Sequence, residues 1–258
     1  PEYLKIYKDF GFSALTIGQE AIVDLNAFSL EGSQNKDMRY AYSRLVRKGH
    51  KAEAHLPPLD GRLLKALRKI SNEWLTMRHG REMRFGTGWF DDEYIRSTPV
   101  MTVRGKDGRI TAFANLVPEY QANETSIDLM RHRAQAEHGT MEFMFVSMFQ
   151  WAKEQGYATF SLGLSALSGT GEHSDDPAVE RAIHYLFEHL NRFYNFKGLH
   201  EFKEKFHPSW QPRYLIYPGA GSLPAVATAI VRANTGDDFL SVYFQPHGRS
   251  ALPKTTSP

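Results

Sequence analysis

Residues 99–118, PVMTVRGKDGRITAFANLVP, place alternating apolar and polar runs on either side of Lys106-Asp107-Gly108. An Asp-Gly pair between two such runs marks a tight hairpin, because its backbone accepts the positive φ that the turn requires. A third strand follows from Ser126 to Met130 and ends in the charged run DLMRHR, residues 128–133. Alternation puts Ile127 and Leu129 on one face, with Asp128 and Met130 on the other. Arg131 joins Ile127 unless the strand bends at its end. Further on, Met141, Met144, Phe145, Met148, Trp151 and Ala152 fall on one helical stripe that Gly156 stops. Such a stripe is core. TFSLGLSAL, residues 159–167, reads as a buried strand, and Asp176-Pro177 opens another helix. A short helix within NFKGLHEFKEKFHP, a strand at RYLIYP and a helix in SLPAVATAIVRAN complete the pattern. Hairpin, strand, helix, strand, helix, strand predicts an α/β (α+β) fold, a mixed sheet flanked by helices.

Upstream, LTIGQEAIVDLNAF (15–28) reads as a strand, a turn and a second short strand. The next helix sets Met38, Tyr42 and Leu45 on one face. It also carries Lys36, Arg39, Arg44, Arg47, Lys48 and Lys51 against one acid, Asp37. That basic face suits a phosphate backbone and equally suits a solvated surface. Asp60 caps a helix whose core line is Leu63, Leu67, Ile70, Trp74 and Met77, ended by Gly80. Arg62, Lys65, Arg68 and Lys69 lie on its outer side. The glycine-containing stretch 81–99 is the expected boundary between two units.

A net charge of +2 means that an anionic partner is met by a local patch, not by a global field. The absence of cysteine excludes disulfides and thiolate chemistry. There is no run long and apolar enough to span a bilayer, and PEYLKIYKDFGF is not a signal peptide. The chain starts without methionine in what reads as mid-domain, as an excised fragment would. Phosphate-cradling glycine motifs, HExxH and GxSxG are missing, and the eleven histidines have no ligand spacing. The constellation left is Asp128 with Arg131, plus the cations of HEFKEKFHPSWQPRYLIY (200–217), namely Lys203, Lys205 and Arg213. A carboxylate beside cations can bind an ammonium or accept a hydroxyl proton. A lysine in an aromatic wall can neutralise an oxyanion or a phosphate. A structural ion pair and a solvated helix end are the plain alternatives.

DLMRHR, FSLGLSALSGTG (160–171), FYNFKGLHEFKEKFHPSWQPRYLIYP (193–218) and EGSQNKDMR (31–39) resemble the catalytic domain of aminoacyl-phosphatidylglycerol synthases, the multiple peptide resistance factors. The resemblance runs from about residue 11 to about residue 234. It implies tandem GNAT-like units: residues 1–95 as the latter part of the first, 96–244 as the second and 245–258 as a disordered tail. It implies that an N-terminal transmembrane domain precedes this soluble part, at the cytoplasmic face of the bacterial cell membrane. It also implies transfer of alanine or lysine from aminoacyl-tRNA to the glycerol hydroxyl of phosphatidylglycerol, which gives resistance to cationic antimicrobial peptides. The donor ester is already activated, so neither metal nor cofactor is expected. RAQAEHGTME (133–142) lacks the glycine pattern that holds coenzyme A in ordinary GNAT enzymes, in keeping with a tRNA-borne donor. FKEKF resembles the matching stretch of Fem-type peptidoglycan aminoacyltransferases.

On this reading Asp128 orients the α-ammonium or assists proton transfer, although the substrate's own amine or ribose hydroxyl can equally be the base. Lys203 stabilises the oxyanion or a phosphate, supported by Arg131 and Arg213. Lys205 is secondary, since two lysines two apart on a helix face differently. Phe206 and Trp210 wall a substrate channel, and Lys36, Arg39, Arg44 and Arg47 touch the tRNA backbone. A silent GNAT-like module that only binds RNA or membrane, and a Fem-like transfer to a peptidoglycan precursor, are the alternatives.

Overall fold

A computed structural model of the chain describes residues 3–78, 82, 88–118, 122–166 and 196–235. The helix expected after Pro177 and the tail lie outside them. The elements are α1 (Leu4–Asp9), β1 (Ser13–Asp24), α2 (Lys36–Arg47), β2 (Lys51–His55), α3 (Gly61–Met77), α4 (Asp92–Arg96), β3 (Val100–Arg104) and β4 (Ile110–Pro118). β5 (Glu124–His132), α5 (Thr140–Glu154), β6 (Thr159–Ala166), α6 (Phe196–Glu204), β7 (Ser209–Tyr217) and α7 (Leu223–Thr235) follow.

All seven strands form one sheet in the order β2-β3-β4-β5-β6-β1-β7. Every neighbouring pair is antiparallel except β5–β6, which is parallel. The predicted hairpin is β3–β4, and its Gly108 takes the left-handed φ of 78°. β1 is a single strand of twelve residues with no turn inside it. Its pairing with β7 shifts register between Thr16 and Gly18, a bulge within a continuous strand. The boundary expected at residues 95/96 crosses this sheet: β1 and β2 precede it, and β1 pairs with both β6 and β7. Pro212 sits inside β7, which tolerates the missing N–H because β7 is an edge strand.

The faces of the sheet bury two cores. Ala112, Ala114 and Leu116 of β4 point into a cluster built on α2 and α5, while Ile110 and Phe113 point into a cluster under α3 and α4. In α3 the Asp60 carboxylate accepts from the N–H groups of Arg62 and Leu63, as a cap should. Its buried line is Leu64, Leu67, Ile70 and Ser71, so the helix is turned slightly from the expected face. Leu63 packs only in part and Trp74 is lifted to the rim. α5 is buried on more than the expected stripe, since Phe143, Val146 and Phe149 are also covered. It is wedged between the sheet, α2 and the aromatic rings Phe202 and Phe206. α4, only five residues long, had no periodic pattern to reveal it, although Asp91 caps it at the N–H groups of Glu93 and Tyr94.

Candidate active site

β5 and β6 pair only over Glu124↔Thr159, Thr125↔Phe160 and Ser126↔Ser161. Beyond these, β5 runs on to His132 along β4 and β6 runs on to Ala166 along β1. The sheet therefore opens into a wedge. A bulge in each arm accompanies the opening, since an extra residue bends and twists its strand. On β5, Asp128 and Leu129 together oppose Asn115; on β6, Leu162 and Gly163 together oppose Ala21. Asn115 Oδ1 accepts from the Leu129 N–H at 2.8 Å, satisfying a donor that the broken ladder would orphan. Gly163 has φ +78°, the left-handed geometry in which glycine is unstrained.

The β5 bulge overturns the expected alternation. Ile127 and Met130 both pack into the α5-side core, and Leu129 packs into the α3-side core. Asp128 reaches α4 on that same side, where its carboxylate accepts from the Gly88 N–H at 2.5 Å and from the Tyr94 hydroxyl. A Cβ added to Gly88 would lie 1.9 Å from Asp128 Oδ2, so the close approach requires glycine. Burial, then the bond to Asp128, pushes the Tyr94 phenol well above its ordinary range. It is a permanent donor at working pH. Arg131 is also on the α3 side, in an ion pair to Glu82 at 2.8 Å and 4.0 Å above the Trp74 ring. The bulge thus brings Asp128 and Arg131 to one face, each with a partner that sequence reasoning missed.

On the other arm, Lys203 of α6 is 4% exposed and donates to the carbonyls of Gly163 at 2.9 Å and Leu164 at 3.0 Å. Burial lowers its pKa from 10.5 to about 8, opposed by the nearby charge of Glu20. Glu20, on β1, accepts from the Ser161 hydroxyl and from Arg213 Nε at 2.5 Å. Ala21, Val23, Phe160 and Leu162 belong to the α5-side core, so by alternation Glu20 and Ser161 point to the face that also carries Asp128. Ser165 Oγ lies 3.2 Å from His200 Nδ1, and the His200 ring stacks on Trp210 at 4.3 Å. Lys203 and Arg213 are brought together around Glu20, while Asp128 and Arg131 line the opposite arm. Glu20 was missed as well; its signal was a carboxylate directly before the apolar run AIV, residues 21–23, of a strand.

Other expectations are corrected by packing. Phe206 is 2% exposed among Phe145, Phe149 and Phe202, so it is core and walls no channel. Phe206→Ala should therefore cost about 3–5 kcal/mol of stability, read as a lowered denaturant midpoint. Trp210 is half-buried and donates to Glu204 at 2.6 Å. Lys205 is exposed and pairs with Glu142 at 2.8 Å, turned away from Lys203 as the helical period requires. Of the four α2 cations, Arg39 holds the carbonyls of Leu30 and Gly32, and Arg44 holds that of His138. Lys36 and Arg47 are exposed.

A mixed sheet that opens between its two parallel strands, with helices on both faces, is the GNAT-like class of fold that the sequence led us to expect. FemX has the same fold at a TM-score of 0.54 and 12% identity, over 89% of this chain and 71% of that one. Within that class the chain belongs to the family described as phosphatidylglycerol lysyltransferase, C-terminal, whose pattern matches residues 1–217. It is 36% identical over 231 residues to the phosphatidylglycerol lysyltransferase of Bacillus subtilis, covering 90% of this chain and 27% of that protein. The chain thus spans about a quarter of the length of that curated relative. The solved L-PGS of Bacillus licheniformis matches with TM-score 0.78 and 36% identity, over 90% of this chain and 70% of that one. The C-terminal domain of a putative lysylphosphatidylglycerol synthetase from Agrobacterium fabrum matches at TM-score 0.78 and 39% identity, over 92% and 71%.

Proposed function

We propose that this chain is the catalytic part of an enzyme that moves an amino acid, alanyl or lysyl, from aminoacyl-tRNA to the glycerol hydroxyl of phosphatidylglycerol. The observation that carries the reading is Lys203, a buried cation held by two backbone carbonyls on one arm of the wedge, opposite Asp128 on the other. Membership of the family supports the acceptor, since the relatives are named for it. In the reaction the lipid hydroxyl oxygen bonds to the ester carbonyl carbon, and the bond from that carbon to the ribose oxygen breaks. The hydroxyl proton ends on the departing ribose oxygen. Asp128 holds the α-ammonium of the aminoacyl group, and Lys203 faces the negative charge that grows on the carbonyl oxygen. The product carries an added ammonium on an anionic lipid, which lowers membrane negative charge and blunts cationic peptides.

Among the described residues no helix is long and apolar enough to cross a membrane. In this reading an N-terminal transmembrane domain brings the site to the lipid at the cytoplasmic face. The test is transfer of radiolabelled amino acid from alanyl-, lysyl- and arginyl-tRNA to phosphatidylglycerol by the full-length protein, resolved by thin-layer chromatography. Label in the lipid supports the reading and names the amino acid. Label only in a peptidoglycan precursor, or RNA binding without turnover, sinks it.

The α2 geometry divides the tRNA candidates. Lys36→Ala and Arg47→Ala should each lower the salt slope of tRNA binding by about 1, measured by filter titration at several salt concentrations. Arg39→Ala and Arg44→Ala should leave the slope unchanged and reduce stability instead, because their guanidinium groups brace loop carbonyls.

A further inference from the structure

Arg213, Glu20, Ser161, Gly163 and Lys203 form a continuous polar chain across β7, β1, β6 and α6. Arg213 Nε donates to Glu20, as does the Ser161 hydroxyl. Ser161 Oγ in turn accepts from the Gly163 N–H at 3.1 Å, at the β6 bulge whose carbonyls hold Lys203. Glu20 also opposes Leu164 in the β1–β6 register, the residue that supplies one of those carbonyls. Its side chain is only 14% exposed, so the carboxylate acts where solvent screens it weakly.

We propose that Glu20 is a positioning residue for Lys203, fixing the β6 bulge through Ser161 and serving as the counter-charge that keeps the buried ammonium protonated. This rests on the reading that Lys203 meets an anion at the wedge, and it supplies a reason why the cation is there to meet it. Around Lys203, β1 supplies Glu20, β7 supplies Arg213 and α6 itself supplies His200. Asp128 on β5 is engaged by Tyr94 and Gly88, and Glu142 on α5 by Lys205. Arg213 is bonded to Glu20, while Lys203 bonds the carbonyls of Gly163 and Leu164 and feels Glu20 as a nearby charge, so two cations have this one carboxylate as counter-charge. A cluster with that balance is made complete by one negative charge, such as a phosphate or a forming oxyanion. Removal of Glu20 would leave both cations without this counter-charge, and the buried lysine would shed its proton first.

The test follows the Lys203 side chain by NMR titration in the 258-residue chain with labelled lysine, alongside transfer assays in the full-length protein. Lys203 should titrate near pH 8 in the wild type. In Glu20→Gln, which keeps the shape but not the charge, its midpoint should fall by about one pH unit. The alkaline limb of transfer should move to lower pH by the same amount. Activity should then be regained on acidification, a rescue that a merely structural role would not produce. Arg213→Gln, which removes the competing cation, should move the midpoint the opposite way, and this holds the proposal to account if Glu20→Gln does not fold. An unchanged midpoint in the folded Glu20→Gln, or a fall in Arg213→Gln, overturns it. Failure of the underlying reading has a different signature: the midpoints shift as expected while Lys203→Ala retains full transfer.

Discussion

Lys203→Ala should lower transfer by about 100- to 1000-fold, the loss expected when one donor facing a developing oxyanion is removed. The variant should nonetheless fold, and magnitudes explain why. Burying the ammonium is unfavourable by about 3 kcal/mol, the equivalent of a pKa brought down from 10.5 to about 8. Deleting it relieves that cost but leaves the carbonyls of Gly163 and Leu164 without their donor, at about 1–3 kcal/mol each. The two effects are comparable and opposite, so the denaturant midpoint should move much less than the rate. The sign of the pH dependence follows from the same residue. Its folded pKa lies below the unfolded value, so its unfavourable contribution is fully present below pH 8 and is relieved between about 8 and 10.5, where the unfolded chain still binds the proton. Activity runs the other way. Transfer needs the cation and should fall above about pH 8, once spontaneous ester hydrolysis is subtracted. A pH profile flat to 10, or near-full transfer by the folded Lys203→Ala, would remove Lys203 from the mechanism.

Lys203 was legible as a candidate only through the family resemblance that FKEKFHP carries, since by spacing alone it reads equally as part of a solvated helix end. What surrounds it was not. Local signals gave the β3–β4 hairpin through Lys106-Asp107-Gly108 and the start of α3 through Asp60, since each is decided within a few residues. The position of β1 between β6 and β7 joins residues about 140 to 200 apart, and no short pattern encodes such pairing. That is why Glu20 was passed over as an isolated carboxylate in a strand. Bulges are the other blind spot. Period-two alternation separated Asp128 from Arg131, and only the two-for-one opposition at Asn115 returns them to the same face. Phe206 failed for a third reason. An aromatic beside lysines reads alike whether it covers a ligand or three other phenylalanines.

Asp128 gives the second large effect. Its carboxylate is held by the Gly88 N–H at 2.5 Å and by a phenol that stays protonated throughout the working range. A carboxylate clamped by two donors, in a space that admits no Cβ at Gly88, is rigid. Rigidity favours a fixed anionic anchor over a group that must accept and release a proton as the reaction proceeds. Asp128→Asn removes the charge and keeps an oxygen for only one of the two donors, since Oδ1 takes the Gly88 N–H and Oδ2 the Tyr94 hydroxyl, so a stability measurement accompanies the kinetics. Transfer measured as kcat/KM should fall by about 100-fold or more, the scale of about 3 kcal/mol for a buried charged contact. The loss should lie mainly in KM for the aminoacyl-tRNA, because the α-ammonium loses its partner before any bond is made. A donor whose α-amine is acetylated should react no better with the wild type than with Asp128→Asn, since neither enzyme then has an ammonium to hold. Asp128→Glu should not restore the rate, since one added methylene drives the carboxylate into the Gly88 backbone. If Asp128→Asn instead lowers kcat alone, with KM unchanged and the acetylated donor still favouring the wild type, the carboxylate is handling the proton and the anchor role is wrong.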